Sequence, residues 1–376
     1  CGLGGGSGAE ALSGQLEGAL CGLLEAEEQE LEIELAKKFA GSPTIAELLV
    51  QRGITSVDEA ERFFSPSLSD MHDPFLMRDM NKAVNRLNKA MGAKEKILVY
   101  GDYDVDGTTA VALVYKYLRN YYSHIEYYIP TRDEEGYGIS MKSIDDAASK
   151  GIKLIIVLDC GIKAIEEIHY AKERGIDFII CDHHVPDDVL PEACAILNPK
   201  LADNTYPYPH LSGCGVGFKF MQAFARSNGL TNHNELYSLL DLVAVSIAAD
   251  IVPMTGENRI MAYHGLKRLN SNPNMGLKSI IRICNLANRE ITISDVSFKI
   301  GPRINASGRM QSGMEAVDLL TTKDQNEAYA KGKNIDQYNR DRKELDKRIT
   351  EEANAILEER GEIDSDHKSI VIYNKN

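Results

Sequence analysis

Three aspartates at alternate positions, Asp102, Asp104 and Asp106, are the residues of this sequence most in need of a chemical explanation. They follow Lys96-Ile-Leu-Val-Tyr-Gly101, an apolar run of strand character, and Gly107 after them opens a helical pattern. Carboxylates so close together repel one another, and burying them without counter-charge is costly. A bound cation resolves the conflict, and an oxygen-rich ligand set favours Mg²⁺, Mn²⁺ or Ca²⁺. A solvated acidic loop is the plain alternative. An EF-hand is another, since D-x-D-x-D-G matches its opening, but that loop needs a preceding helix and a glutamate at its twelfth position. Here a strand precedes and Leu113 stands twelfth.

Further polar residues follow buried-looking segments in the same way. Asp159 and Gly161 close the run Leu154-Ile-Ile-Val-Leu158, and Asp182-His183-His184 closes Phe178-Ile-Ile-Cys181. Asp159 suits either a helix cap or a carboxylate bridging two metals. His183, beside Asp182, suits an imidazole ligand whose ring a second carboxylate orients. Asp250, after the apolar stretch from Leu236, serves equally as a turn cap before Pro253 or as a ligand. The glycines of Gly213-Cys-Gly-Val-Gly217 either wrap phosphate or permit close helix packing. Arg303 and Arg309, in a Gly-rich basic loop from Gly301 to Arg309, suit phosphate recognition by guanidinium forks, or are surface arginines. Cys160, Cys181 and Cys214 lie beside these groups and read as small packing residues.

The elements that must position these groups alternate. Helices over Thr108 onward, Ser140–Ser149 and Lys163–Arg174 separate strands at Ile97–Tyr100, Ile125–Pro130, Leu154–Leu158, Phe178–Cys181 and Ala195–Leu197. That spacing predicts an α/β fold, a doubly wound and mostly parallel sheet, with ligands gathered at the carboxyl ends of its strands. All the acidic and histidine clusters fall at such ends. A helical preface runs from about Leu35, with helices at Pro43–Gln51 and after a capping box at Ser56-Val-Asp-Glu59, then Asp79–Met91. The second half is mostly helical. Asn326 to Glu359, half charged and free of proline, predicts one bridging helix of about 50 Å. A strand at Ser369–Tyr373 follows, so near the last residue that a further domain is expected. The expected divisions are an acidic, Gly-rich lead over 1–34 that is open to a non-native origin, a catalytic domain with its preface over 35–323, the connecting helix over 324–362, and the first strand of the next domain over 363–376.

Composition sets looser bounds. The 376 residues carry seven scattered cysteines without a C-x-x-C pair, which predicts reduced thiols in a cytoplasmic protein. No apolar run is long enough to span a bilayer and no signal peptide is apparent. The net charge of −14 includes eight glutamates within residues 1–34, leaving −6 for the rest. A cation-binding carboxylate cluster also contributes to it, so the charge does not argue against a nucleic-acid partner.

Asp102-Tyr-Asp-Val-Asp106, Asp159-Cys-Gly161, Asp182-His-His184 and Asp250, in this order, resemble the four motifs of the DHH phosphoesterase superfamily. Tyr100-Gly-Asp-Tyr-Asp-Val-Asp-Gly-Thr-Thr-Ala110, Ser212-Gly-Cys-Gly-Val-Gly217, Pro302-Arg-Ile-Asn-Ala-Ser-Gly-Arg309 and the preface segment His72-Asp-Pro-Phe-Leu-Met77 resemble its RecJ branch. The resemblance implies a single-strand-specific 5′→3′ exonuclease that releases 5′-mononucleotides by phosphodiester hydrolysis with two divalent cations, Mn²⁺ or Mg²⁺, in DNA repair and recombination. It implies that Asp104 and Asp106 each bind one metal, Asp159 bridges them, and His183 and Asp250 complete the second site. Asp102 and Asp182 would support, His184 would face the scissile phosphate, and Arg303, Asn305, Ser307 and Arg309 would hold substrate phosphates. Many members carry a metal-binding histidine where Tyr100 stands, so Asp102 or water would fill that place. The implied partners are single-stranded DNA, a single-strand-binding protein and a RecQ-type helicase, and the implied missing parts are a DHH-associated and an OB-fold domain. Two other functions remain open at this point: a phosphodiesterase for oligoribonucleotides or cyclic dinucleotides, and a non-catalytic scaffold like the RecJ-like subunit of eukaryotic replicative helicases.

Overall fold

The computed structural model describes residues 33, 35, 37–38, 42–360 and 368–372, so the lead over 1–34 lies almost wholly outside the described residues. Two compact units divide the chain, one up to Asp70 and one from Met71, and the helical preface is shared between them. In the first, helices α1 (Pro43–Val50) and α2 (Val57–Phe64) form where the apolar spacing places them. Ala46, Leu49, Ile54 and Ala60 pack with Leu35 into a small core. The capping box expected at Ser56 forms by half. Ser56 Oγ accepts from the Glu59 amide at 3.2 Å, but the Glu59 carboxylate turns to the amide and hydroxyl of Thr55 at 2.7 and 2.9 Å.

In the second unit, helices α3 (Met80–Gly92), α4 (Val105–Arg119), α5 (Met141–Ser149), α6 (Ile165–Glu173) and α7 (Gly213–Ser227) surround five strands. These are β1 (Lys96–Gly101), β2 (Ile125–Tyr128), β3 (Ile152–Leu158), β4 (Asp177–Cys181) and β5 (Ala195–Leu197), in the order β2-β1-β3-β4-β5. Every neighbouring pair is parallel, with Val99 level with Ile156 and Ile156 with Ile179. The strands read as unbroken apolar runs because both faces are covered. On one face Ile144 and Ala147 of α5 and Ile168 and Ala171 of α6 meet Tyr100, Ile155, Val157, Phe178 and Ile180. On the other, α4 and α7 approach so closely that a Cβ on Gly217 would stand 3.0 Å from Leu158 and 3.3 Å from Val114. Strand order reverses between β1 and β3, and ligands of such sheets gather in the crevice there.

The longer helices that follow are α8 (Leu240–Ala249), α9 (Gly256–Ser271), α10 (Met275–Ile283), α11 (Gly301–Met310), α12 (Gly313–Thr321) and α13 (Gln325–Arg360), with a π-turn (Val296–Ile300) before α11. The long charged segment is one helix of 36 residues, as its composition implies. The Gly-rich loop expected over 301–309 is instead a helix. Pro302 sits in its first turn, where a missing N–H costs nothing, and Gly301, Ile304, Ala306, Ser307 and Gly308 are buried. Its small residues serve packing: a Cβ on Gly308 would fall 2.1 Å from the Tyr103 carbonyl oxygen. The strand expected at 369–373 does not form over 369–372, where Val371 is exposed and no strand among the described residues lies alongside to complete a ladder. No helix among the described residues is long and apolar enough to cross a membrane.

One buried ion pair fixes the segment that enters the second unit. Lys219 of α7, fully buried, donates to Glu257 at 3.0 Å and to the His72 carbonyl at 2.6 Å, while Glu257 accepts from the His72 amide at 3.0 Å and from Tyr206. Lys219→Met leaves the Glu257 carboxylate buried and unpaired. Chemical denaturation should show a loss of about 3–5 kcal/mol, and adding Glu257→Gln should recover much of it.

Candidate active site and metal centre

The acidic segment turns directly off the end of β1. Asp104 caps α4, its Oδ1 accepting from the Gly107 amide at 2.9 Å. Asp106, in the first turn, is gripped by the start of α7: the amides of Gly213 and Cys214 donate to its two oxygens at 2.6 and 2.7 Å, and Ser246 of α8 adds its hydroxyl at 2.7 Å. Of the two uses open to the 213–217 glycines, the structure shows close approach. A Cβ on Gly213 would stand 2.7 Å from Asp159 Oδ1. Asp159 itself has φ +61°, a left-handed conformation that costs a non-glycine residue about 1–3 kcal/mol and occurs mainly at functional sites.

β4 delivers Asp182, His183 and His184. Asp182 does not orient the His183 ring, as its position beside it suggests. Its Oδ1 accepts from the amides of His183 and His184 and from His184 Nδ1 at 2.7 Å, and its Oδ2 from the Ile162 amide at 3.0 Å. The carboxylate therefore holds His184, whose ring is partly exposed, while His183 is buried. Asp250 follows the last residue of α8.

These groups converge. His183 Nε2 lies 3.1 Å from Asp159 Oδ1, 3.6 Å from Asp250 Oδ2 and 3.7 Å from Asp106 Oδ2. Possible ligand atoms within 4.8 Å of one another form three overlapping sets: Asp102-Asp104-Asp159, Asp106-His183-Asp250 and Asp159-His183-His184. Asp102 Oδ1, Asp159 Oδ1, both His183 nitrogens and Asp250 Oδ2 are buried without a hydrogen-bond partner. Buried polar atoms are rarely left so unless something else binds them. The donor set of carboxylates plus imidazole, with Asp159 common to two sets, fits a pair of hard divalent cations. Tyr100 takes no part, its ring lying across the sheet with its hydroxyl on the Gly138 carbonyl at 2.8 Å.

Electrostatics say the same. Burial and then Asp104 push the Asp102 carboxyl up from 3.8 to about 7, and burial, Asp106 and Asp104 bring Asp250 to about 7 as well. Burial followed by Asp106 raises Asp159 far above the carboxylate range, and burial lowers His183, favouring a neutral ring with one nitrogen lone pair free to bind a cation. Asp182 differs: burial raises it, but the His184 ring and the amide donors outweigh burial and hold it below the usual range. His184 is correspondingly raised by its bond to Asp182. In the cation-free protein, Asp102 and Asp250 favour the folded state least once pH exceeds about 7, because the unfolded chain sheds these protons from pH 3.8 upward while the fold retains them. Cations must displace the same protons. The rise in Tm on adding Mn²⁺ should therefore be larger at pH 8 than at pH 6, as differential scanning fluorimetry at matched ionic strength would show.

A cavity of about 230 Å³ opens beside the cluster, lined by Asp104, Asp106, Asp250, Ser297, Asn305, Arg309 and Arg342 among others. Of the four residues expected to hold phosphate, Asn305 and Arg309 reach it. Arg303 does not: its Nε bonds Asp336 of α13 at 2.8 Å and its Nη1 the Lys299 carbonyl at 2.7 Å. Ser307 is buried, with its hydroxyl on the Ile304 carbonyl. The sequence reading missed Arg342, whose buried Nε has no partner, and the Ser246 clamp. A larger cavity of about 540 Å³ between the ends of α9, α10 and α13 has no Asp, Glu, His or Cys in its lining.

Residues 96–247 match the family described as DHH family, N-terminal domain. The single-stranded-DNA-specific exonuclease RecJ of Bacillus subtilis is 38% identical over 328 residues, which cover 87% of this chain and 41% of that protein. The protein of the same name from Escherichia coli is 35% identical over 326 residues, 84% of this chain and 56% of that one. The chain spans about half the length of the curated relatives it matches. Among solved structures, RecJ from Thermus thermophilus in complex with Mn²⁺ aligns with a TM-score of 0.74 at 26% identity, over 86% of this chain and 46% of that one. An exonuclease RecJ bound to manganese aligns at 0.68 and 29% identity, over 76% and 71% of the two chains.

Proposed function

We propose that this chain, whose residues 96–247 match the family described as DHH family, N-terminal domain, carries the catalytic centre of a divalent-cation-dependent exonuclease. Its substrate is single-stranded DNA, degraded 5′→3′ to 5′-mononucleotides by phosphodiester hydrolysis, in DNA repair and recombination. The observation that carries the reading is the set of unpartnered buried atoms of Asp102, Asp159, His183 and Asp250, gathered beside a cavity that also holds Arg309 and Arg342.

Asp102, Asp104 and Asp159 would hold one Mn²⁺ or Mg²⁺, and Asp106, His183 and Asp250 the second, with Asp159 shared. Bound cations supply Lewis-acid activation of water and neutralise charge on the phosphoryl group. The protein's own residues do the rest. The α7 amides and Ser246 fix both Asp106 oxygens in place. Arg309 and Arg342 line the cavity; Arg342 Nη1 and Nη2 lie on Asp346 and Asn339 at 3.3 and 3.5 Å, which leaves its unpartnered Nε for a phosphate oxygen. His184, kept protonated to higher pH by Asp182, places a proton-bearing nitrogen where charge develops on a phosphoryl oxygen. A scaffold without catalysis would have no use for such a set of unsatisfied ligand atoms.

A long single strand labelled at its 5′ end, incubated with Mn²⁺ and separately with Mg²⁺, tests this. The label should appear first as a mononucleotide, with dinucleotides cleaved far more slowly. Shortening from the 3′ end, or faster cleavage of dinucleotides, would replace this substrate with another.

A further inference from the structure

Two side chains at the edge of the catalytic cavity are displayed against the ordinary preferences of the chain. Ile251 occupies the position just past the end of α8, where helices usually place glycine, and has φ +58°. The left-handed conformation is sterically unfavourable for a β-branched residue. No burial offsets this, since Ile251 is 92% exposed. Phe298 is the middle residue of the π-turn Val296–Ile300 and is 78% exposed, although Val296 and Ile300 on either side are fully buried. Such turns are rare and concentrate at functional sites. The two segments are tied together beside the cavity. Ser297 Oγ donates to the Ala248 carbonyl at 2.8 Å, and a Cβ on Gly301 would lie 3.5 Å from Ala249. Ser297 and Asp250, the chain neighbours of Phe298 and Ile251, both line the cavity with Arg309 and Arg342.

We propose that Phe298 and Ile251 form an apolar rim on which bases of the substrate strand rest while its phosphates pass Arg309 and Arg342; the inference builds on the single-strand reading above. Guanidinium groups and an exposed aromatic side by side match the alternation of phosphate and base along a single strand. In a duplex the base faces are already stacked and paired, so the rim engages only an unpaired strand. Neither residue contributes to the core, which accounts for their display at the expense of local backbone stability.

Fluorescence anisotropy in EDTA, with a labelled oligo-dT and an abasic strand of equal length, separates stacking from phosphate binding. Phe298→Ala should bind oligo-dT about tenfold more weakly, in the range of one lost aromatic–base stack, while the two proteins differ little on the abasic strand. Phe298→Trp should retain oligo-dT affinity. Ile251→Gly should raise Tm, by removing the backbone strain, yet weaken oligo-dT binding, a pair of opposite signs that a purely structural residue does not produce. Equal weakening on both strands, or no change on oligo-dT, would overturn the proposal. So would sedimentation showing that wild type self-associates and Phe298→Ala does not, because the rim would then be a protein interface. Mn²⁺-dependent hydrolysis of bis(p-nitrophenyl) phosphate by the same preparations reports on the cation centre alone, so the two readings fail separately.

Discussion

Asp159→Asn should reduce Mn²⁺-dependent release of mononucleotides by roughly 10²- to 10³-fold, the order of loss seen when one preorganised electrostatic group is removed from a closed site. Asparagine keeps the size of the side chain and tolerates the left-handed backbone at φ +61°, so the change is confined to charge. The same substitution should raise the Tm of the cation-free protein. Burial and the neighbouring Asp106 hold the Asp159 carboxyl far above its ordinary range, so near neutral pH it opposes folding, and removing it relieves that opposition. The stabilisation conferred by Mn²⁺ should shrink at the same time. Opposite signs in cation-free stability and in turnover mark a group retained for binding rather than for the fold. A variant that melts higher but keeps its turnover would remove Asp159 from the centre.

Asp182→Asn should cost about 10- to 100-fold in kcat, as loss of a group that orients a catalytic side chain does. The carboxylate accepts from three donors on Oδ1 and from the Ile162 amide on Oδ2. An amide cannot accept on both sides, so either Ile162 or the histidine donors lose a partner. The larger consequence is for His184, which Asp182 raises above its usual range. Without that charge the ring gives up its proton at lower pH. The alkaline limb of the kcat profile should therefore move toward acid. An unchanged profile would mean that the His184 proton is not used.

The elements of the α/β core are legible because each strand is buried on both faces and so carries an unbroken apolar run, ended by the polar residue that the site needs. Asp102, Asp159 and Asp182 each follow such a run, and the parallel topology alone places them together at the carboxyl ends of the strands. The segment 301–309 misled for a physical reason. Glycine, proline and serine there suggest a loop, but they serve a helix pressed against the backbone at Tyr103, a contact invisible without the fold. Arg303 is likewise taken by Asp336, thirty-three residues away on α13. Arg342 sits among many charged residues of that helix, and no spacing sets it apart from its neighbours. The role of Asp182 was legible as support but not its direction, since adjacency to His183 in sequence does not reveal which ring the carboxylate faces.

Anomalous diffraction from crystals soaked in Mn²⁺ tests the central claim most directly. Two peaks should appear, both touching the Asp159 carboxylate, one beside Asp102 and Asp104 and the other beside His183, Asp106 and Asp250. No bound Mn²⁺ at these side chains, or Mn²⁺ held only at other residues, would contradict the account.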